Sequence, residues 1–291
     1  SGKTKIASII SQKFNCEVIS ADSRQVYKRM DIGTGKDLHE FNSRKINYHL
    51  IDIVEPNEEY NLFRFQQDFY EAYKKIKSVQ KQPLLIGGSG LYLSSILEGY
   101  DLKPSQITEN ENSFLNNLTE NQLRKMLFDL KPEQHNTTDL LDKKRTIRAI
   151  IVAKANKVKS KSAPILNSIN IGITLKREEL KKRITERLKQ RLQAGMIDEV
   201  KSLIDDGITK SKLISFGLEY KYVCKYLNNE LNHNDMFQKL NSAIHSFARR
   251  QMTWFRKMEK KGVNINWFDP GESVEIVKFI KLKTKDEKYI T

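Results

Sequence analysis

A phosphate-binding segment at the start of the chain limits the possible folds more than any other feature. The chain begins Ser1-Gly2-Lys3-Thr4, and apolar residues with helical spacing follow. A glycine turn, a lysine and a hydroxyl residue that open a helix can hold a phosphate, because backbone N–H groups and the helix dipole favour an anion there. The hydroxyl of Thr4 is also a candidate ligand for Mg²⁺. A complete loop of this type follows a strand and has an earlier glycine, so we interpret the chain as lacking its first few residues.

Short apolar segments alternate with helical segments along the chain. The predicted strands are residues 17–20, 49–53, 83–87, 169–175 and 263–268, and the longest predicted helices are 62–77, 177–195 and 234–261. This alternation favours an α/β fold with a parallel sheet and helices on both faces. The polar segment 101–163 differs in texture and has helical patterns at 120–130 and 141–155. We therefore expect a core of residues 1–100 and 164–291, with 101–163 as a helical insertion.

Charge and cysteine content narrow the class of partner. Lysine and arginine number 51 against 36 acidic residues, a formal net charge of +15, which favours nucleic acid or an anionic surface. A compositional bias toward Asn, Lys and Ile is the alternative explanation of the positive charge.

The two cysteines, Cys16 and Cys224, are far apart, and no apolar run reaches the ~20 residues that span a bilayer. We expect a cytoplasmic protein without a disulfide framework, a zinc site or a membrane anchor.

Asp22 follows one predicted strand and Asp52 lies at the end of another, where open parallel sheets bind ligands. Asp22 is a candidate proton acceptor, although an aspartate there can also cap the next segment. Asp52 is either a metal ligand or a cap. The glycine runs at 87–90 and 31–35 either let the backbone approach a ligand or simply form tight turns.

Two basic segments remain. Residues 143–148 place Arg145 and Arg148 three apart on one helix face. Residues 249–256 mix cations with an amide and aromatic rings, a composition that suits RNA phosphates and unpaired bases. We expect the aromatic rings of this segment to face the core, and its arginines to be functional.

These motifs occur together in one order. They are S-x-D-S-x-x-x-Y at 20–27, D-I-G-T at 31–34, L-I-D at 50–52, G-G-[ST]-x-L-Y at 87–92 and R-Q-x-T-W-x-R at 250–256. In this combination the chain resembles the tRNA dimethylallyltransferase (tRNA isopentenyltransferase) family nearly from end to end. It departs from the family pattern at Ser89, which replaces Thr, at Glu219, which replaces the Gly of a G-Y-[RK] segment, and at 156–162, which lacks a Gly-Lys-Pro-like turn.

The resemblance implies a P-loop NTPase-like core and an insertion that grips the anticodon stem-loop. It implies transfer of a dimethylallyl group from dimethylallyl diphosphate to the exocyclic amine of the adenosine 3′ of the anticodon, with Mg²⁺ as cofactor, tRNA as partner and a monomeric enzyme. Asp22 matches the general base, with Lys3 and Thr4 as further catalytic residues and Thr4 as the metal ligand. The implied diphosphate-binding residues are Ser1, Gly2, Lys3, Thr4 and Arg148. The implied tRNA-binding residues are Asp22, Ser23, Arg24, Gln25, Ser89, Lys144, Arg145, Arg148, Tyr220, Lys221, Arg249, Arg250, Gln251, Thr253 and Arg256.

Three other functions are compatible with parts of this pattern. One is prenyl transfer to free AMP, ADP or ATP, which the high positive charge disfavours. Another is a small-molecule P-loop kinase, in which Arg145 and Arg148 would belong to a lid. The last is an RNA-binding module without catalysis.

Overall fold

A computed structural model describes residues 2–104, 108–132, 140, 142–155, 164 and 166–285. Along the chain its elements are α1 (Lys3–Phe14), β1 (Cys16–Ala21), α2 (His39–Asn42), β2 (Tyr48–His49), α3 (Leu62–Ser78), β3 (Gln82–Gly87), α4 (Gly90–Leu97), α5 (Glu109–Asn117), α6 (Glu120–Leu130), α7 (Lys143–Ala155), β4 (Ile171–Ile173), α8 (Arg177–Gln193), α9 (Met196–Asp205), α10 (Lys210–Ser215), α11 (Leu218–Leu227), α12 (His233–Lys260), β5 (Asn266–Phe268) and α13 (Ser273–Lys283). Among the described residues, no helix is both long and apolar enough to cross a bilayer.

A parallel sheet of order β2-β1-β3 forms the centre of the larger unit. Successive side chains of a strand point to opposite faces, and β1 buries both. Val18 packs with Ala7 of α1, whereas Ile19 belongs to the cluster that contains Phe69 and Ile76 of α3. The predicted α/β fold with helices on both faces of a parallel sheet is therefore confirmed.

A second parallel pair, β4 and β5, packs with α1 and α13. Ile6 and Ile10 of α1 meet Ile276 and Ile280 of α13 in this cluster. The helix that opens with the phosphate-binding segment is thus fixed by apolar contacts along its length.

The predicted strand at 49–53 is wrong over most of its length. β2 contains only Tyr48 and His49. Leu50 has a φ of 61° and Asp52 a φ of 56°, both in the left-handed region, which an extended strand cannot contain. The strands predicted at 169–175 and 263–268 are likewise shorter, since pairing covers only three residues of each.

The chain divides into a unit of Ser1–Glu98 with Ile165–Thr291 and a unit of Gly99–Pro164. In the second unit, Leu123, Leu127, Ile147 and Ile150 form a small apolar core. Within the polar segment 101–163, residues 109–117 had no predicted helix but form α5, which Thr108 and Glu111 begin with a capping box. The segment 156–162 lies outside the described residues.

Candidate active site

The phosphate-binding segment and Asp22 lie at the same edge of the sheet. Ala21 ends β1 and pairs with Gly87, which ends β3, so Asp22 and the 88–90 turn leave the sheet together. Burial lowers the pKa of the Lys3 ammonium, and the negative charge of Asp22 is the strongest influence that opposes this. The two side chains are therefore close enough to interact electrostatically, although Lys3 as a whole residue is only partly buried.

Asp22 also shapes its own turn. Its Oδ1 accepts a hydrogen bond of 2.9 Å from the backbone N–H of Arg24. The capping role considered for this aspartate is therefore present. Because a carboxylate has two oxygens, this turn does not itself use Oδ2.

The 87–90 turn requires its glycines for close packing. A Cβ on Gly87 would overlap the carbonyl oxygen of Ala21 in the neighbouring strand. A Cβ on Gly88 would lie 2.5 Å from Nε2 of Gln251 and 3.8 Å from Nζ of Lys3. The turn therefore brings its backbone directly against the candidate phosphate site.

Ser89 joins this turn to the segment after β1. Its Oγ accepts a hydrogen bond of 3.2 Å from the backbone N–H of Ser23. Gln25 points to the next loop instead, since its Nε2 donates to the carbonyl of Gly35 at 3.2 Å. Segment 22–25 is therefore held from both sides.

A buried cluster of Arg24, Arg191 and Glu219 holds segment 22–25 through the side chain of Arg24. Nη1 of Arg24 donates to Oε2 of Glu219 at 2.6 Å, and Nη1 of Arg191 donates to Oε1 at 3.2 Å. The Glu219 side chain is 3% exposed, and each arginine side chain is 17% exposed. Burial lowers the pKa of Arg24, but the charges of Glu219 and Asp22 outweigh burial and raise it above its usual value. Sequence reasoning noted Glu219 only as a departure from the family pattern and did not single out Arg191.

Glu199 holds the loop of residues 31–35, which carries the D-I-G-T motif. Its carboxylate accepts hydrogen bonds from the backbone N–H groups of Asp31 at 2.8 Å, Ile32 at 2.6 Å and Gly33 at 3.0 Å. The hydroxyl of Tyr220 donates to the same carboxylate at 2.8 Å. The motif is therefore kept in shape by a carboxylate more than 160 residues away in the chain.

Tyr220, predicted as a tRNA contact, lies in the interior beside the 31–35 loop, and the contact stays a prediction. Its side chain is fully buried, and a Cβ on Gly33 would lie 2.7 Å from its ring. Burial raises the pKa of its hydroxyl, and the charge of Glu199 raises it further. Tyr220 supports the 31–35 loop in this structure and is not available at the surface.

Asp52, considered above as a metal ligand or a cap, forms an ion pair with Lys36. The Lys36 side chain is 1% exposed, and its ammonium donates to the carbonyl of Tyr27 at 2.6 Å, to Asp31 Oδ1 at 2.7 Å and to Asp52 Oδ1. Asp52 thus pairs with a buried cation in this structure. No group of three or more histidine, cysteine or acidic side chains in the described part of the chain is arranged to hold a metal ion.

Helix α12 presents two different faces. Nε2 of Gln251 donates to the carbonyl of Gly88 at 2.7 Å, and Nε1 of Trp254 donates to Ser94 Oγ at 2.8 Å. Phe255 meets Trp267 edge to face. The inward orientation predicted for the aromatic rings is confirmed. The exposed side chains of this segment include Arg249, Arg250, Thr253 and Arg256.

The basic residues of α7 are also exposed within their own unit. Lys144, Arg145 and Arg148 lie at the surface, while Ile147 and Ile150 enter the apolar core. Elsewhere, Lys221 is partly buried, with Nζ 5.8 Å from the ring centre of Tyr222. Ser1 lies outside the described residues.

Fold and site together define a phosphate-loop α/β protein with an acidic residue at the same sheet edge as the loop and a helix that carries exposed arginines. A family model described as IPP transferase matches residues 25–258. The chain is 48% identical to tRNA dimethylallyltransferase 2 of Pelobacter propionicus over 274 residues, covering 93% of this chain and 87% of the relative. It is 45% identical to tRNA dimethylallyltransferase 2 of Bacteroides fragilis over 294 residues, covering 98% and 95%. The chain belongs to the tRNA dimethylallyltransferase family, as the sequence motifs predicted.

Solved structures support the same conclusion. The tRNA isopentenylpyrophosphate transferase from Bacillus halodurans superposes with a TM-score of 0.72 at 31% identity, covering 99% of this chain and 94% of that one. A eukaryotic dimethylallyltransferase acting on tRNA has a TM-score of 0.75 at 24% identity, covering 92% of this chain and 71% of that one, and shows the shared fold.

Proposed function

We propose that the protein transfers a dimethylallyl group from dimethylallyl diphosphate to the exocyclic amine of the adenosine 3′ of the anticodon in tRNA. The observation that carries this proposal is that Asp22 leaves the sheet beside the 88–90 turn, where a Cβ on Gly88 would lie 3.8 Å from Nζ of Lys3 in the phosphate-binding segment. The names of the relatives, which specify tRNA dimethylallyl transfer, support it further.

The diphosphate end of the substrate binds at the start of α1. Gly2 caps this helix with a φ of 80°, and Lys3 and Thr4 are its first residues. The helix N-terminus and the Lys3 ammonium stabilise the charge that develops on the diphosphate as the allylic C–O bond breaks.

Mg²⁺ fits this donor set. The hydroxyl of Thr4 would be one protein ligand of an ion that is otherwise held mainly by substrate phosphates and water. Bound there, Mg²⁺ would neutralise part of the diphosphate charge.

Asp22 accepts the proton that the adenine amine loses as the new C–N bond forms. A positioned general base contributes roughly 10²–10⁴-fold to such a step. The target base must leave its stack to reach the site, and a loop nucleotide lowers the cost of that movement. No nucleotide hydrolysis is needed.

Each of the two units carries exposed cations that suit the phosphates of the anticodon stem-loop. Arg249, Arg250 and Arg256 on α12 and Arg145 and Arg148 on α7 suit phosphate contacts. The net charge of +15 favours a polymeric acceptor over free adenylate.

The test uses labelled dimethylallyl diphosphate with an anticodon stem-loop RNA, with AMP, or with neither. We expect label in the RNA only, and strong labelling of AMP would instead favour the adenylate enzyme. Asp22→Asn preserves the turn but removes the proton acceptor, so transfer should fall by about 10²-fold or more while RNA binding is retained.

A matched control is Asp269→Asn. Asp269 Oδ1 accepts the backbone N–H of Gly271 at 3.0 Å, which is the same type of turn as that of Asp22 after a strand. This variant should retain most of the wild-type turnover. Near-normal transfer by Asp22→Asn would contradict the assignment of the base.

A further inference from the structure

Arg24 lies between two carboxylates that compete for its charge. Its guanidinium donates to Glu219 at 2.6 Å, while its own backbone N–H donates to Asp22 Oδ1 at 2.9 Å. The negative charge of Asp22 also acts on the guanidinium, because it is one of the causes that raise the pKa of Arg24. The arginine is therefore within electrostatic range of the proposed base and bonded to a different carboxylate.

Burial and pairing decide which carboxylate holds the guanidinium. Glu219 is 3% exposed and also accepts a hydrogen bond from Arg191, whereas Asp22 is only partly buried. A charge-assisted bond is stronger where water is excluded. Glu219 lies in the first turn of α11, where the helix dipole favours a carboxylate.

Loss of the Glu219 charge would change this competition. Asp22 is two residues before Arg24, and its negative charge already acts on the guanidinium. Without the Glu219 charge, the long arginine side chain would gain a charged partner by turning toward Asp22. A carboxylate held by a guanidinium is a weaker proton acceptor, because the ion pair stabilises its charged form.

We propose that Glu219 is a positioning residue that holds the Arg24 guanidinium away from the Asp22 carboxylate and so keeps that carboxylate able to accept a proton. The inference rests on the proposed function of Asp22 as general base. It assigns a role to the residue at which this chain departs from the family's G-Y-[RK] segment.

The experiment measures single-turnover transfer to the stem-loop RNA by four proteins: wild type, Glu219→Gln, Arg24→Gln and the double variant. In Glu219→Gln we expect the rate at saturating RNA to fall by about tenfold or more, while the RNA concentration that gives half the maximal rate changes by less than about threefold. In the double variant no guanidinium remains at position 24, so its rate should return to that of Arg24→Gln.

Glu17→Gln is the control for general loosening of the fold. Glu17 is also a buried carboxylate, held by hydrogen bonds to Lys81 and His49, with 8% of its side chain exposed. It lies five residues before Asp22 on β1, about 16 Å away along the strand. This variant should be less stable to heat but transfer within about twofold of the wild-type rate, since its neighbours do not reach the site.

The outcomes separate the two proposals. A wild-type protein that transfers nothing to RNA refutes the proposed function itself. With an active wild type, two results overturn the role of Glu219: a Glu219→Gln rate within about twofold of wild type, or a double variant as slow as Glu219→Gln while Arg24→Gln is faster. If Glu219→Gln does not fold, a double variant more than about twofold slower than Arg24→Gln overturns the role, because Glu219 would then act on the rate without Arg24.

Discussion

The free energy of unfolding in acid should depend strongly on Glu17, a carboxylate at the amino end of β1. Glu17 accepts hydrogen bonds from Lys81 at 2.9 Å, Asn47 at 2.8 Å and His49 at 2.7 Å. Burial alone would raise the pKa of Glu17, but these three partners outweigh burial and lower it from 4.5 to about 2. The folded protein therefore keeps this group charged at pH values where the unfolded chain protonates it.

The size of the effect follows from the shift. A change from 4.5 to about 2 is about 2.5 pH units, and at 1.36 kcal/mol per unit it corresponds to a folding free energy on the order of 3–4 kcal/mol. Because the folded-state pKa is the lower one, the contribution is complete above about pH 4.5 and is lost as the pH falls toward 2.

Urea unfolding of the wild type and of Glu17→Gln, followed by circular dichroism from pH 7 to pH 2, checks this reasoning. The glutamine variant should be less stable near neutrality, and the two free energies of unfolding should converge as the pH approaches 2. A difference that stays constant across this range would refute the linkage, since it would show that the carboxyl group contributes by shape and not by charge.

Two further predictions concern the sheet edge and the basic helix. Gly87→Ala should lower the free energy of unfolding by about 1–3 kcal/mol in urea titrations, because the new Cβ would overlap the Ala21 carbonyl. The control is Gly271→Ala, which should be close to neutral because the atom nearest to its new Cβ would be 3.6 Å away. Arg256→Ala should weaken RNA binding and make the plot of the logarithm of the RNA association constant against the logarithm of salt concentration less steep by about one. The control is Lys13→Ala, at an exposed position near the end of α1, which should leave this slope unchanged. Equal slopes for wild type and Arg256→Ala would argue against a phosphate contact.

Local patterns predicted the features that depend on neighbouring residues. Apolar runs located β1 and β3, and helical periodicity located α3, α6 and α12 within a few residues. The pattern failed at 49–53, because a run of apolar residues does not reveal the left-handed backbone at Leu50 and Asp52.

The candidate site was predicted only in part, for a related reason. The edge of the sheet and its motifs are local, but the groups that hold them come from distant parts of the chain. Glu199 reaches Ile32 across 167 residues, and Glu219 reaches Arg24 across 195. Single-sequence reasoning has no signal for such pairs, except that a glutamate at position 219 broke an expected motif.

The segment R-Q-x-T-W-x-R is continuous in sequence, yet α12 divides its side chains between two tasks. Gln251 and Trp254 are one turn apart and point toward the 88–94 region, while Arg250 and Arg256 point outward. A saturation library over this helix should therefore give two separate populations: variants that fail to accumulate in cells, and variants that accumulate normally but no longer retain RNA. Engineers could thus retune the acceptor preference from the outer side without disturbing the scaffold that supports it.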